Sequence, residues 1–443
     1  MENDGLDELT TFLARTRLED VAAEDLDHTR LVIADCLAAM VAGSAEPEIA
    51  ALGSRPEPPG PASIVGSGRR ASPERAAFLN GTAGTVLEVD EGHRFCRGHP
   101  GIHVLPAALA YAEARGAPGA ELLLAVLLGY EVAVRIGRAA ELRPAMHPHG
   151  TWGTLGAAVA VAKLAGADAE AFRRTLEVAA PLCLGTSAGT MRDGGTVRNS
   201  FAGFAGRTGL QIQELVEAGF VGEIDALGAV FGRVLSERWR PEVLVAGLGE
   251  SWEIRRNYFK RHACCRFNHA ALDALAAIGR ARPLQAAAIA AIEVETYALA
   301  ATLDEVKPRN AMASRFSIPF ALATSVVGGN TGIAAFSTDK FSDPEILELA
   351  SRVTVSADPA MTAAEPARRP ARVTVVWADG TRQSATVQNA RGEPEKPYTP
   401  DELGEKYFEL TARAWSWGQA AKVHRSVMAL ETLADVSQLI PDP

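Results

Sequence analysis

The chain has 443 residues, 47% hydrophobic and 22% charged, a composition typical of a globular protein with room for more than one domain. Its 54 acidic and 44 basic residues give a formal net charge of −10, which argues against a nucleic-acid-binding protein because such proteins usually have a basic surface. Five scattered cysteines are too few for a disulfide framework. The stretch 1–20 lacks the apolar segment of a signal peptide, and the most apolar stretch, 122–136, is too short and too charged to cross a membrane. We therefore expect a soluble, cytoplasmic protein.

Hydrophobic periodicity predicts helices through the first two-thirds of the chain, where apolar residues recur at three- and four-residue spacing and alanine is abundant. The segments with this pattern are 6–15, 28–41, 73–87, 106–114, 120–139, 153–164 and 169–184. Ser72 followed by Pro73 is a helix-start signal, since serine caps a helix and proline is favoured at its first position.

The pattern changes after about residue 275. Alternating, strand-like segments are 287–296, 352–357, 371–377 and 383–387, with a hairpin-type turn at 378–381 and helical segments at 318–327 and 344–351. From residue 399 the pattern is helical again, over 400–414, 417–430 and 434–439. We predict a mainly α protein: residues 1–268 and 399–443 form a large helical domain from both termini, and residues 269–398 form a smaller α+β domain.

The stretch 63–71 matches the outline of a dinucleotide-binding fingerprint, with glycines at 66 and 68 and Asp90 about twenty residues further on. In such a site the glycines open the helix that binds the pyrophosphate. Here Ser72-Pro73 places the helix start after the motif, and no βαβ unit surrounds it. We interpret the stretch as a turn that leads into a helix.

Polar residues cluster at three places in the otherwise apolar helical region. The first cluster falls within sixteen positions and contains Glu88, Asp90, Glu91, His93, Arg97, His99 and His103. Catalytic groups are often found on loops held by a rigid scaffold, although a solvated, charged loop between helices would have the same composition.

The second cluster is His147-Pro148-His149-Gly150-Thr151, directly before a helix. Its backbone amides, with Thr151 as the cap, would favour an anion, while the alternative is an ordinary capped turn.

The third cluster runs from Tyr258 to His269. A zinc site formed by His262, Cys264, Cys265 and His269 is disfavoured, because two adjacent cysteines rarely ligate one ion and no spaced cysteine pair is present. Carboxylate binding by Lys260 and Arg266 is better supported, because the planar guanidinium matches carboxylate oxygens. A solvated basic face remains the alternative.

A looser segment adds Arg192, Arg198 and Arg207. We find no nucleophile–histidine–acid arrangement in the sequence.

Taken in order, these segments resemble the MmgE/PrpD superfamily over nearly the whole chain. The matching stretches are Asp35-Cys36-Leu37-Ala38, 76–82, 88–91 with Gly98-His99-Pro100, His147-Pro148 with Gly150-Thr151, 203–209 with 217–220, Lys260 with Cys264 and His269, 316–320, and 392–394. The superfamily includes 2-methylcitrate dehydratase, cis-aconitate decarboxylase and iminodisuccinate epimerase. The resemblance implies a large helical domain with a smaller α+β domain, a homodimer, and action on di- or tricarboxylates without a bound cofactor or metal.

Carried over residue by residue, the resemblance places the family's acidic position at Glu88 or Asp90, its histidines at His99 and His147, and its lysine at Lys260. His269 matches the histidine that opens the following helix. The form of the acidic loop, with Asp90-Glu91-Gly92 before Gly98-His99-Pro100, looks more like the epimerase branch, and Phe320 stands where many relatives have tyrosine.

We therefore predict an enzyme that removes a proton next to a carboxylate, with epimerisation, dehydration and decarboxylation left open. His99 and His147 are the predicted acid and base, with Asp90 or Glu88 orienting a histidine and Lys260 stabilising the intermediate. The predicted substrate-binding residues are Arg192, Arg198, Arg266, His269, His93 and Thr151. The alternative is a catalytically inactive homologue that binds a polycarboxylate or serves as a scaffold.

Overall fold

The computed structural model describes residues 2–441, and most of that chain is helical. The helices of the first part are α1 (Glu2–Arg15), α2 (Ala23–Ser44), α3 (Pro47–Gly53), α4 (Pro73–Thr85), α5 (Pro100–Arg115), α6 (Gly119–Ala139), α7 (Trp152–Leu164), α8 (Ala169–Ala179), α9 (Gly189–Arg192) and α10 (Ser200–Glu217). Those of the second part are α11 (Arg266–Ala281), α12 (Ala298–Ala301), α13 (Ala311–Arg315), α14 (Ile318–Val327), α15 (Pro344–Ala350), α16 (Pro359–Ala364), α17 (Pro400–Thr411) and α18 (Trp417–Met428).

Strands are short except in the last third of the chain. They are β1 (Ala62–Ile64), β2 (Arg69–Ala71), β3 (Gly92–His93), β4 (Ala140–Leu142), β5 (Met146–His147), β6 (Thr186–Ser187), β7 (Ser236–Trp239), β8 (Asn257–Tyr258), β9 (Ile289–Thr296), β10 (Val353–Ala357), β11 (Ala371–Trp377) and β12 (Arg382–Val387). The last four form one sheet in the order β10-β9-β11-β12, with β10 parallel to β9 and the other pairs antiparallel. The predicted hairpin between 371–377 and 383–387 is confirmed.

Helices α4, α5, α6, α7 and α10 pack on one another and form the centre of the helical part. Small residues allow close approach: a Cβ on Gly81 would lie 2.9 Å from the Cα of Gly203, where α4 crosses α10. The C-terminal helices α17 and α18 both pack against α2, so segments from the two ends of the chain meet. These observations establish the mainly α fold. The exact domain boundaries stay a prediction.

Several local predictions are confirmed, and two are wrong. Ser72 caps α4 by accepting a hydrogen bond from the backbone amide of Arg75, and 62–71 is a two-stranded hairpin rather than a nucleotide-binding turn. Helix α5 begins at Pro100, six residues before the predicted start at Pro106. The side chain of Glu91 stabilises this earlier helix start, because its Oε1 accepts a hydrogen bond of 2.8 Å from the first-turn amide of Gly101. The predicted helix 434–439 is only a 3₁₀ turn, Val436–Gln438.

Among the described residues, none of the helices combines the length and apolar character needed to cross a membrane.

Candidate active site

A two-residue strand pair brings the acidic loop and the basic segment together. Strand β3 follows directly after the acidic loop 88–91 and pairs with β8, which ends two residues before Lys260. A bridge between His93 and Gly98 then turns the chain back on itself. His99 therefore returns to the side of Asp90, and Lys260 reaches the same loop from 170 positions further along the sequence.

Asp90 and His99 form a buried hydrogen-bonded pair. Asp90 Oδ2 lies 2.7 Å from His99 Nδ1. Lys260 Nζ donates to the backbone oxygen of Glu88 at 3.0 Å and to Glu88 Oε2 at 3.2 Å, and lies 3.9 Å from Asp90 Oδ1. Asp90 and Lys260 are fully buried, and His99 is 6% exposed. Four of the predicted catalytic residues thus share one small region.

Arg198 supplies a second buried cation beside Glu88. Its Nη1 lies 2.5 Å from Glu88 Oε1, yet the angles are unsuitable for a hydrogen bond, and the buried Nε and Nη1 both lack a hydrogen-bond partner. Arg198 belongs to the 3₁₀ segment Thr196–Asn199, in which the neighbouring Val197 is 60% exposed. The unsatisfied guanidinium therefore lies just beneath the protein surface.

The surrounding charges keep both carboxyl groups ionised. Burial alone would raise their pKa values. For Glu88, the nearby Arg198, Lys260 and His99 together outweigh burial and hold the pKa far below its usual range. For Asp90, His99 and Lys260 likewise outweigh burial, and the pKa is lowered. The site therefore presents two carboxylates, two cations and an imidazole in a dry environment.

The ring of His99 and three further histidine rings pack edge to face. His149 lies at the centre, with ring centroids 4.9 Å from His99, 4.8 Å from His103 and 4.6 Å from His147. Burial and then nearby positive charge, chiefly Arg198, lower the pKa values of His147 and His149 well below the usual range. Burial also lowers the pKa of His103, to about 4. These three rings are therefore neutral near pH 7.

Hydrogen bonds fix the tautomers of two of these rings. His103 Nε2 accepts from the amide of Gly150 at 3.2 Å, so its Nδ1 carries the proton and donates to the backbone oxygen of His99 at 2.7 Å. His147 Nδ1 accepts from the amide of His149 at 3.1 Å, so its Nε2 carries the proton. The sequence clusters at 99–103 and 147–151 thus form one site.

Other predicted site residues have different partners. His93 lies against Glu253, 3.5 Å from its Oε2, and against Tyr130. Arg266 binds Glu393 Oε1 and the carbonyl oxygens of residues 390 and 391, and His269 accepts a hydrogen bond from Arg266. The structure does not bring these side chains into contact with the Asp90–His99 pair, and their role in substrate binding stays a prediction.

The substrate-binding role of Arg192 and Thr151 also stays a prediction. Arg192 is exposed, and its side chain makes no hydrogen bond or ion pair among residues 2–441. Thr151 occupies the predicted cap position of α7, and its hydroxyl donates back to the oxygen of Pro148 at 2.6 Å instead of accepting from an amide of the helix. Phe320 is fully buried against Phe336 and belongs to the core.

The sequence prediction of the site omitted His103, His149 and Arg315. The two histidines stand in the first and second polar clusters, but the sequence does not distinguish them from the other polar residues there. Nothing in the sequence points to Arg315. This side chain is buried and donates to the backbone oxygens of Ala263 at 3.0 Å and Leu87 at 3.4 Å, so it connects the two loops of the site.

Among the described residues, no group of three or more histidine, cysteine, aspartate or glutamate side chains has a metal-binding arrangement.

Comparison with known proteins identifies the family to which the chain is similar. Residues 7–237 match the MmgE/PrpD N-terminal domain, and residues 262–432 match the MmgE/PrpD C-terminal domain. The chain is 26% identical to a cis-aconitate decarboxylase of Aspergillus terreus, over 98% of this chain and 94% of that protein. It is 25% identical to the human cis-aconitate decarboxylase, over 84% of this chain and 79% of that protein.

The chain belongs to the MmgE/PrpD family. It is an enzyme of the lyase type found in this family, which confirms the prediction of an MmgE/PrpD enzyme.

Proposed function

We propose that the protein moves a proton at a carbon next to a carboxylate of a small di- or tricarboxylate, without a cofactor. The observation that carries this proposal is the Asp90–His99 pair, held at 2.7 Å between the buried cations Lys260 and Arg198. The same proposal includes a homodimer, as the family resemblance implies, and a location in the cytoplasm, as the sequence predicts.

The donor groups of the site suit a substrate with more than one carboxylate. Arg198 has a buried guanidinium with unsatisfied nitrogens, and a carboxylate presents two oxygens that match this fork. Lys260 lies on the other side of Glu88, where it can stabilise negative charge that develops on a second carboxylate. Preorganised cations in a dry site stabilise an enolate-like intermediate far better than water does.

His99 is the residue placed to transfer the proton. Ionised Asp90 accepts the Nδ1 proton of His99, which leaves Nε2 as the nitrogen that gives or takes a proton at the substrate. The carboxylate also stabilises the imidazolium form. His99 can therefore act as an acid in one step and as a base in the next.

Decarboxylation is the reaction we favour, because the two relatives described above are both cis-aconitate decarboxylases. In such a reaction the carbon–carbon bond to one carboxylate breaks and carbon dioxide leaves. The electron pair stays on the unsaturated substrate as an allylic, enolate-like anion, and imidazolium His99 then donates a proton to carbon. The two cations lower the energy of the anion formed between these steps.

Epimerisation is the second candidate, and the form of the loop around Asp90 and His99 favours it. Here a base removes the proton next to a carboxylate, and an acid on the opposite face returns one. His147 carries its proton on Nε2 and lies one ring away from His99 across His149, so the site holds a second imidazole for this role.

Proton NMR in D₂O tests the proposal with a panel of cis-aconitate, 2-methylcitrate and iminodisuccinate. Decarboxylation gives a smaller product with deuterium at one carbon, whereas epimerisation exchanges the hydrogen next to a carboxylate in the recovered substrate. We expect His99→Ala and Lys260→Ala to reduce the rate by at least ~10²-fold, and Arg280→Gln, at an exposed position of α11, to leave it unchanged. A panel without deuterium incorporation or carbon dioxide release would favour the inactive, polycarboxylate-binding alternative.

A further inference from the structure

A buried ion pair is hydrogen-bonded to the backbone of the acidic loop. Asp35 of α2 and Lys406 of α17 are 371 positions apart in the sequence, and Lys406 Nζ lies 2.5 Å from Asp35 Oδ1. Each side chain is 5% exposed. Neither residue is in contact with the rings or cations that we assign to the reaction.

Both members of the pair hold the backbone on either side of Asp90. Lys406 Nζ donates to the carbonyl oxygen of Val89 at 2.7 Å. Asp35 Oδ2 accepts from the amide of Glu91 at 2.8 Å. The residue between these two anchors is Asp90, whose carboxylate orients His99. A shift of either anchor would therefore change the Asp90–His99 distance.

The loop needs such anchors because its backbone is strained. Glu88 has φ of 56°, in the left-handed region that non-glycine residues rarely adopt. Such a conformation persists only where surrounding contacts enforce it, and it is often found at functional sites. Glu88 also binds Lys260 and Arg198, so the strained residue places the cations as well.

A purely structural role does not explain the pair well. Burying two charges costs much of what their attraction returns, and apolar residues of similar size are often as stable. Here each charged group divides its hydrogen bonds between its partner and the loop. The pair thus joins helices from the two ends of the chain to one short catalytic segment.

We propose that Asp35 and Lys406 are positioning residues that act through the loop 88–91 to hold Asp90 against His99. The C-terminal helix α17 is thereby part of the catalytic machinery although it contributes no group to the substrate. This inference rests on the proposed function for the role of His99 in proton transfer.

The test compares two double variants. Asp35→Asn with Lys406→Met removes both charges together and leaves neither one unpaired. The matched control is Arg30→Met with Glu431→Gln, because Arg30 also joins α2 to the C-terminal part, 2.8 Å from Glu431, but has no contact with the acidic loop. Thermal unfolding of both variants measures their loss of stability.

The first measurement needs no substrate. The His99 Nδ1 proton, hydrogen-bonded to Asp90, gives a downfield NMR resonance that selective ¹⁵N-histidine labelling identifies. We expect it to broaden beyond detection or move upfield in the Asp35/Lys406 variant and to stay in the Arg30/Glu431 control. This result holds whether or not the proposed function is correct.

The second measurement is turnover of cis-aconitate. We expect kcat to fall about 10- to 100-fold in the Asp35/Lys406 variant with KM within threefold, because the pair does not touch substrate. An unchanged resonance and an unchanged kcat in that variant would overturn the inference, as would an equal loss of kcat in the control. If the wild-type enzyme does not turn over cis-aconitate, the proposed decarboxylation fails, and the resonance alone decides the inference.

Discussion

At the scale of single residues, Arg198 is a buried cation of the site whose hydrogen bonds are incomplete. Its guanidinium is 2% exposed and forms an ion pair with Glu88, but its Nε and Nη1 have no hydrogen-bond partner among the described residues. Buried polar groups are nearly always hydrogen-bonded, and an exception in a native structure needs an explanation. A substrate carboxylate between Arg198 and the imidazoles would supply the missing acceptor.

We therefore expect Arg198→Gln to raise KM about 10- to 100-fold, because a hydrogen bond to a charged group contributes about 1.5–3 kcal/mol. Arg198→Lys should give an intermediate KM, since it keeps the charge but loses the fork. Steady-state kinetics with the substrate found in the D₂O panel measure both. Arg280→Gln, at an exposed position of α11, is the matched control and should leave KM unchanged. A KM within twofold of wild type in Arg198→Gln would exclude Arg198 from substrate binding.

The residue types of the site could be predicted from the sequence, but their partners could not. Asp90, His99 and Lys260 stand in polar clusters within an apolar helical region, and the family resemblance ranks them. The sequence alone does not show that Asp90 rather than Glu88 meets His99, because that depends on the left-handed backbone at Glu88. The sequence does not predict a role for Lys406, because a lone lysine on a helix is usually exposed. Only tertiary packing buries this lysine.

At the scale of elements, the crossing of α4 and α10 depends on glycine. A Cβ on Gly203 would lie 2.3 Å from the backbone oxygen of Phe78, which cannot move without disturbing α4. Gly404 also lies within a helix, α17, but a Cβ there would meet nothing within 4 Å. The same substitution should therefore have opposite effects at the two positions.

We expect Gly203→Ala to lower the free energy of unfolding by at least ~1–3 kcal/mol through overpacking. Gly404→Ala should raise it by roughly 0.5–1 kcal/mol, because alanine loses less conformational entropy in a helix. Urea unfolding followed by circular dichroism measures both changes. A stable, wild-type-like Gly203→Ala protein would show that the two helices are not in close contact in solution.

Helix boundaries show which elements depend on local signals and which on distant contacts. Helix α4 begins where Ser72-Pro73 predicts, because both signals are local. The sequence predicts the start of α5 at Pro106, but the helix begins at Pro100, where an oxygen of the Glu91 carboxyl group accepts a hydrogen bond from an amide of the first turn. The difference matters for function, because the true start makes His99 the cap residue of α5 and brings it to Asp90.

At the scale of the whole molecule, buried carboxyl groups should make stability decrease in mild alkali. Burial raises the pKa of Glu91 from 4.5 to about 8, and the pKa values of Glu113 and Glu131 to about 7. A raised folded-state pKa means that the folded protein holds a proton which the unfolded chain has released. The stability from these groups is therefore complete below about pH 4.5 and is lost as pH rises toward 8.

Buried histidines act in the opposite direction. Burial lowers the pKa values of His103, His147, His149 and His269 from 6.5, so the unfolded chain binds protons that the folded protein does not. Their contribution to stability is present above pH 6.5 and is lost as pH falls below it. The two sets of groups together predict a maximum in the free energy of unfolding near pH 6–7.

Glu91→Gln isolates the largest of the carboxyl contributions, because glutamine has nearly the same shape and does not ionise. The amide oxygen can still accept from the amide of Gly101, which caps α5. Between pH 7 and pH 9 the wild-type protein should lose about 1 kcal/mol more stability than the variant, the amount expected for one group with a pKa near 8. Urea unfolding at pH 7, 8 and 9 measures the difference, and Glu345→Gln, at an exposed position, is the control. Parallel curves for Glu91→Gln and wild type would mean that Glu91 is already ionised at pH 7, and that the helix carrying His99 is capped by a carboxylate throughout this range.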